Sequence, residues 1–350
     1  MRKDRNYGID LLRLVLMFMV CLLHVLGQGG ILDACSEGTI EFRTYWFLKI
    51  AFYYAVDAFG IISGYMAVNR PQKYEKIINM WFQTFFYSCI VTLVLTALGI
   101  RYDGSKLKLL VEMLLFAGGN FWYFTSYFLL FFAIPVLNPF LFSLDERTAK
   151  KVLLLMLTLC SGIGVLNDPF QMNWGFSPVW LMVLYCIGVL ARRIRLFEKK
   201  RSITLVLWLA GCVLVTWGWR AIIGMGGLSN YLSPLILLSG MVVVILFSRL
   251  HLKGTVIARL SPLAFGVYLF HSNQVIWNVV LKDNCAFVAT KNIVAGVGYV
   301  FVLSFGLFAV GLLVEWVRCR LFGVLRIPAL SQRIVALFDV MLERMLDILN

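Results

Sequence analysis

Apolar residues run in long solid stretches along most of this 350-residue chain, separated by short connections that carry Lys, Arg, Gly and Pro. A helix rises about 1.5 Å per residue, so crossing roughly 30 Å of hydrocarbon takes about 20 such residues. Ten runs meet or approach that length: residues 9–27, 45–68, 78–99, 121–143, 151–167, 177–192, 203–223, 231–249, 260–281 and 293–317. The run at 151–167 is the weakest, being short and interrupted by glycine. Strands of a membrane β-barrel would alternate apolar with polar rather than run solid. The pattern therefore predicts an all-α, polytopic membrane protein of about ten transmembrane helices, occupying residues 1–325.

Past Pro328 the pattern changes. Ile334, Leu337, Phe338, Met341, Leu342, Met345, Leu346 and Leu349 recur at spacings of three and four, with Arg333, Asp339, Glu343, Arg344 and Asp347 on the remainder. This is one amphipathic helix within residues 326–350, expected to lie along the cytoplasmic interface or pack on the bundle; a coiled-coil homodimer is the alternative. No appended soluble catalytic domain is expected.

Charge gives the orientation. Assigned alternately to the two sides, the connections and termini carry 23 lysines and arginines on one side and 7 on the other, which puts both termini in the cytoplasm by the positive-inside rule. Arg2, Lys3 and Arg5 before the first run resemble a signal peptide, but no convincing small-residue cleavage site follows His24, so this span is read as retained. The glycine clusters Gly27-Gln28-Gly29-Gly30, Gly118-Gly119 and Gly224-Met225-Gly226-Gly227 read as exterior turns; none has the strand-then-helix context of a nucleotide loop.

Composition narrows the class further. With 61% hydrophobic and 14% charged residues the chain is neither a soluble globule nor disordered. Its net charge of +14 would suggest nucleic acid in a soluble protein, but the cations sit between apolar runs, where they face anionic lipid headgroups; nucleic acid is excluded as a partner and the lipid bilayer is the expected one. Eight cysteines show no C-x-x-C pairing. Cys35 and Cys285 both fall in exterior loops, which leaves a disulfide between them open.

Ionisable residues inside a bilayer are costly and mark function. Of three histidines, His24 and His271 lie within runs, and Asp57 is the only acid deep inside one. Arg13 and His24 are eleven residues apart, about 1100° of helical rotation, so they share a face roughly 16 Å apart along the axis. Asp10, one turn before Arg13, is placed to pair with its guanidinium. Asp57, Gly60 and Gly64 share a second face, where the small residues admit a close neighbouring helix; the acid there orients a histidine, lines a polar cavity or bonds another helix. His271, one turn after Tyr268, is divided between substrate contact and structural bonding. Trp122, Tyr123, Tyr127 and Trp174 read as interfacial belt residues whose rings also suit sugars. Three scattered histidines and one deep acid supply no convergent ligand set, so no metal is expected, and no G-x-S-x-G elbow occurs.

Together these stretches resemble the membrane acyltransferase 3 family. Gly8-Ile9-Asp10-Leu11-Leu12-Arg13, with His24 following, is similar to its opening signature. Val56-Asp57-Ala58-Phe59-Gly60-Ile61-Ile62-Ser63-Gly64-Tyr65 is similar to its second-span motif, with Gly60 where a second Phe is common. Phe121-Trp122-Tyr123-Phe124 followed by Pro135, and Val267-Tyr268-Leu269-Phe270-His271, resemble later stretches.

The resemblance implies transfer of an acyl group, usually acetyl, from cytosolic acyl-CoA to a hydroxyl of a cell-surface glycan or a lipid-linked saccharide precursor, in the cytoplasmic membrane of a bacterium. It implies His24 as the catalytic histidine, as base or acyl carrier, supported by Asp57. It implies Arg13 as the partner for catalysis or for binding acetyl-CoA or another acyl-CoA; from their positions, Trp122, Tyr123, Tyr268 and His271 are the expected substrate contacts. Many relatives carry a fused extracytoplasmic hydrolase-like domain, so a separate extracytoplasmic transferase is a candidate partner. A glycan transporter or flippase, and a non-catalytic membrane module, remain the competing classes; the paired broken helices or internal symmetry of transporters are not evident.

Overall fold

The computed structural model describes residues 5–68, 71–100, 105–115, 121–224 and 227–349. Arg2, Lys3, the Gly118-Gly119 turn and Met225-Gly226 of the third glycine cluster lie outside the described residues.

Every regular element among the described residues is helical, as the solid apolar runs predict. In chain order these are α1 (Tyr7–Leu26), α2 (Ile31–Ala34), α3 (Ile40–Tyr53), α4 (Ala55–Ala67), α5 (Tyr74–Phe85), α6 (Thr92–Ala97), α7 (Lys106–Leu115), α8 (Trp122–Ser143) and α9 (Glu146–Met156). They are followed by α10 (Pro178–Arg193), α11 (Ser202–Ile222), α12 (Pro234–Ser248), α13 (Thr255–Leu260), α14 (Ala264–His271), α15 (Gln274–Ile276), α16 (Ile293–Val324) and α17 (Ile327–Leu349). Among the described residues, six helical stretches are by length and composition long and apolar enough to cross a membrane: Tyr7–Ala34, Ile40–Ala67, Tyr74–Ala97, Trp122–Ser143, Ser202–Ile222 and Ile293–Val324. Pro234–Ser248 and Thr255–His271 are apolar but shorter.

Of the four expected runs outside this set, those at 177–192 and 231–249 fold as single helices of 16 and 15 residues, and the other two contain breaks that hydropathy does not register. The run at 151–167 passes from α9 into a π-helical stretch, Leu157–Ile163, and then a loop where Asn167, Asp168, Gln171, Asn173 and Trp174 take positive φ. The run at 260–281 breaks after His271. There the Asn273 side chain caps α15, accepting from Val275 N and donating to the Tyr87 carbonyl and Thr92 Oγ1, both at 2.8 Å. Its amide thus ties the break to the α5–α6 stretch.

Helix α1 is the hub. Asn6 caps it by accepting from Ile9 N at 3.0 Å, and its apolar faces pack against α3, α4, α12, α14 and α16. The tightest packing joins α4 to α10. A Cβ on Gly64 would lie 1.9 Å from the Tyr185 carbonyl oxygen, and one on Gly188 would lie 2.1 Å from that of Ile61. Only bare backbone fits at these crossings, the small-residue contact expected beside Asp57. A Cβ on Gly60 would meet Leu184 Cβ at 2.8 Å, so the Phe common at this position in the family motif has no room here.

Polar backbone freed inside the bundle is answered from elsewhere. Pro135 has no N–H to give the carbonyl of Phe131, and Gln72 Nε2 donates to that oxygen instead, at 2.7 Å. Helix α16 runs seven residues beyond the expected end at 317. Glu315, near the end of that run, is fully buried, so Asp57 is not the only deep acid. It receives Arg318 Nε at 2.9 Å, Tyr87 Oη at 2.9 Å and Gln83 Nε2 at 3.0 Å. The amphipathic tail is the helix α17; it packs against α5, with Ser331 Oγ donating to Asn79 Oδ1 at 3.1 Å. Cys35 and Cys285 are both free thiols.

The α4–α10 crossing supplies a stability test. Gly64→Val should lower the thermal unfolding midpoint in lipid by an amount equivalent to about 1–3 kcal/mol or more, since carbonyl oxygen occupies the place of its Cβ. Gly211→Ala in α11, where a Cβ meets nothing within 4 Å, should leave the midpoint unchanged or slightly raised. Equal midpoints for the two variants would contradict the close crossing.

Candidate active site

One stripe of α1 is polar where the others are apolar. Asn6, Asp10, Arg13, Met17, Val20 and His24 follow at steps of three and four residues, and all six line one cavity of about 870 Å³. Eighteen residues of helix cover about 27 Å, so the cavity extends along α1 for most of a bilayer's thickness. The eleven-residue spacing of Arg13 and His24 does place both on one face, as the helical period required.

The two ends differ in chemistry. Arg5, Arg13, Lys73 and Lys76 line the cavity toward the start of α1, beside Asp10 and Gln72. The Asp10 carboxylate, 5% exposed, is shared. Arg13 Nη1 donates to Oδ1 at 2.9 Å, Ser261 Oγ donates to the same oxygen at 3.2 Å, and Arg5 Nε pairs with Oδ2. The expected Asp10–Arg13 pair is present; with Glu75 3.7 Å from Lys73, four cations meet two acids, and the mouth keeps a net positive charge. It suits phosphate, which charge-assisted N–H donors hold well.

The other end is aromatic. His24 lines the cavity with Phe59, Trp122, Tyr123 and Tyr268. Tyr123 N donates to the Tyr268 phenol oxygen at 3.3 Å, which joins the first turn of α8 to α14. The Trp122 ring also meets Phe176 edge-on, centroids 5.0 Å apart. Trp122, Tyr123 and Tyr127 line the cavity, whereas Trp174 is 39% exposed in the loop before α10.

His271 is fully buried behind His24 rather than on the cavity wall. Its Nε2 lies 2.9 Å from His24 Nδ1, and its Nδ1 lies 2.6 Å from the Val267 carbonyl oxygen one turn earlier. The ring of Trp277, past the helix break, packs edge-on against His24 with centroids 5.2 Å apart. The structure thus brings His24 and His271 together from α1 and α14, a pairing across 247 residues that no local spacing signals.

Asp57 is placed differently from an acid that orients a histidine. It is fully buried, and Trp180 Nε1 of α10 donates to its Oδ1 at 3.0 Å; Oδ2 has no hydrogen-bond partner among the described residues. Its bond is helix to helix, across the same α4–α10 crossing that the glycines permit. Trp180 was not singled out by the sequence, nor were Lys73 and Lys76 beyond their contribution to loop charge. A tryptophan in an apolar run and lysines in a connection carry no local mark of what they fold against.

A family model described as an acyltransferase domain matches residues 6–316. No curated protein and no solved structure matches the chain.

The Asp57–Trp180 bond is testable. Trp180→Phe leaves a buried carboxyl without a donor, and should cost about 1–3 kcal/mol beyond the small change in ring size, read as a lowered thermal midpoint. Asp57→Asn, which keeps an acceptor for the indole, should cost less. An unchanged midpoint in Trp180→Phe would show that this bond does not hold α4 to α10.

Proposed function

The chain belongs to the acyltransferase 3 family and is a multi-pass membrane acyltransferase; from that premise we propose that it moves an acyl group, acetyl in the first instance, from acyl-CoA to a hydroxyl of a cell-surface glycan or its lipid-linked precursor. The carrying observation is the α1 stripe, with a cationic mouth at Arg13 and a histidine about 16 Å further along the same face. Acyl-CoA has the matching polarity: anionic phosphates at one end, a neutral thioester at the other, and a long arm between. Arg5, Lys73 and Lys76 join Arg13 in holding the phosphates, while the thioester lies beside His24 among Trp122, Tyr123 and Tyr268.

In this reading the acceptor hydroxyl gives its proton to His24 as its oxygen attacks the thioester carbonyl carbon. The C–O bond forms, the C–S bond breaks, and the departing CoA thiolate takes that proton from His24. In the covalent variant the His24 nitrogen attacks first, forming an N-acyl imidazolium and releasing CoA thiolate; the hydroxyl oxygen then takes the acyl group from the ring, and the hydroxyl proton passes to the thiolate. Both routes need an unprotonated ring nitrogen on the cavity side.

The proposal places ten spans in a bacterial cytoplasmic membrane with both termini cytoplasmic, so the mouth opens to the cytosolic acyl-CoA pool. The 23-to-7 distribution of Lys and Arg supports that orientation. The acceptor is then met from the opposite side, where a separate extracytoplasmic transferase is a candidate partner.

Radiolabelled acetyl-CoA supplied to the protein in liposomes with extracted glycan tests this. Wild type should bind and consume the donor. His24→Ala should retain binding and lose turnover by on the order of 10²–10⁴. The double variant Lys73→Ala/Lys76→Ala should weaken donor binding, with a reduced dependence on salt. If wild type neither binds nor consumes acyl-CoA with glycan present, the donor assignment fails, and transport of the glycan becomes the reading to test.

A further inference from the structure

We infer that His271 is the positioning residue that sets the tautomer of His24, holding the proton on Nδ1 and leaving Nε2 bare toward the cavity. This rests on the acyltransferase reading for its consequence, but its geometry stands apart from it.

The chain of bonds has a single consistent direction. The Val267 carbonyl can only accept, so His271 Nδ1, 2.6 Å from it, carries a hydrogen. The other group facing Nδ1 is the Cys21 thiol, at 3.8 Å. A neutral imidazole has one N–H, so His271 Nε2 presents a lone pair. His24 Nδ1 lies 2.9 Å from that lone pair and must donate to it. The opposite tautomer of His24 would set two lone pairs face to face at hydrogen-bond distance.

A doubly protonated His271 is the other formal solution. It would put a cation on a fully buried side chain, and no carboxylate bonds either histidine among the described residues. Asp57 bonds Trp180, and the Glu315 carboxylate is taken by Arg318, Tyr87 and Gln83. An unanswered charge at that depth is far more costly than a neutral hydrogen bond. The pair is therefore neutral at rest, with both protons on Nδ1.

The same bonds support His24 when it takes a proton. Its Nδ1–H then becomes a charge-assisted donor to His271 Nε2. His271 lies in the last turn of α14, where the carbonyl end of the helix favours positive charge. No carboxylate is needed to hold the ring, so Asp57 is free to serve the α4–α10 joint.

The chain has only three histidines, His24, His251 and His271, so ¹⁵N-histidine solid-state NMR of the full protein in lipid reports the tautomer directly. Wild type should show both His24 and His271 as Nδ1–H. His271→Gln sets an amide oxygen near the place of Nε2 and should keep His24 as Nδ1–H. His271→Phe removes the acceptor and should bring up the Nε2–H form.

In turnover assays, His271→Phe should lower kcat by on the order of 10²–10⁴, the range seen when a catalytic histidine loses its role or its tautomer. Donor KM should stay within about twofold, and His271→Gln should recover at least about tenfold of the lost kcat. Nε2–H on His24 in wild type, or an unchanged tautomer in His271→Phe, would overturn the inference. Should His271→Phe fail to fold, the wild-type and His271→Gln spectra still decide it. If wild type shows the Nδ1–H pair yet consumes no acyl-CoA, the inference about the pair stands and the acyltransfer reading falls.

Discussion

Hydrocarbon offers no partner to a polar group, so a polar side chain in mid-span must meet another helix or face a cavity. Much of this architecture follows from how that demand is met. Asp10 is met by Arg5, Arg13 and Ser261, His24 by His271, Asp57 by Trp180, and Glu315 by donors from α5, α16 and the π-helical stretch Phe86–Val91. Apart from the Arg318–Glu315 pair within α16, each bond joins segments far apart in sequence or fixes a side chain on the cavity wall. Apolar packing alone is tolerant of sliding and rotation between helices, and these bonds select one register among the arrangements that packing permits.

Backbone breaks are met in the same way and occur where the site needs them. Ending α14 at His271 lets the chain turn, so that Trp277 returns to pack against the His24 ring. Asn273 satisfies the turn locally and anchors it to Tyr87 and Thr92. Tyr87 in turn bonds Glu315, so the turn that follows His271 is tied through Asn273 and Tyr87 to that buried acid. In α8, Pro135 frees a carbonyl that Gln72 takes, and Gln72 itself lines the cavity mouth next to Lys73.

The sequence was most informative within single helices. Period and spacing identified the α1 face that carries Arg13 and His24, the Asp10–Arg13 pair, and the small residues around Asp57, because all of these are properties of one helix and its rotation. Contacts between helices were not legible. Nothing near His24 names His271 as its partner, and nothing near Asp57 names Trp180, since a helical period says which side chains share a face and not which helix opposes it. Hydropathy does not mark where helices end: Asn273 breaks an apolar run, and α16 continues past residue 317 through Arg318, which Glu315 pairs, and Arg320.

The contrast between the two ends of the cavity fixes how a donor could lie in it. Phosphates at the aromatic end, beside Phe59, Trp122 and Tyr268, would lose their water without gaining a cation, a cost of several kcal/mol per charge. At the mouth the same phosphates meet Arg5, Arg13, Lys73 and Lys76. A molecule with one anionic and one neutral end therefore enters neutral end first. The rise of α1 then determines which part of it reaches His24, so an arm much shorter than the spacing from Arg13 would hold its reactive group short of the histidine. Under the proposed acyl transfer, selection by arm length would act on the carrier and would leave selection of the acyl group to the side chains packed around His24.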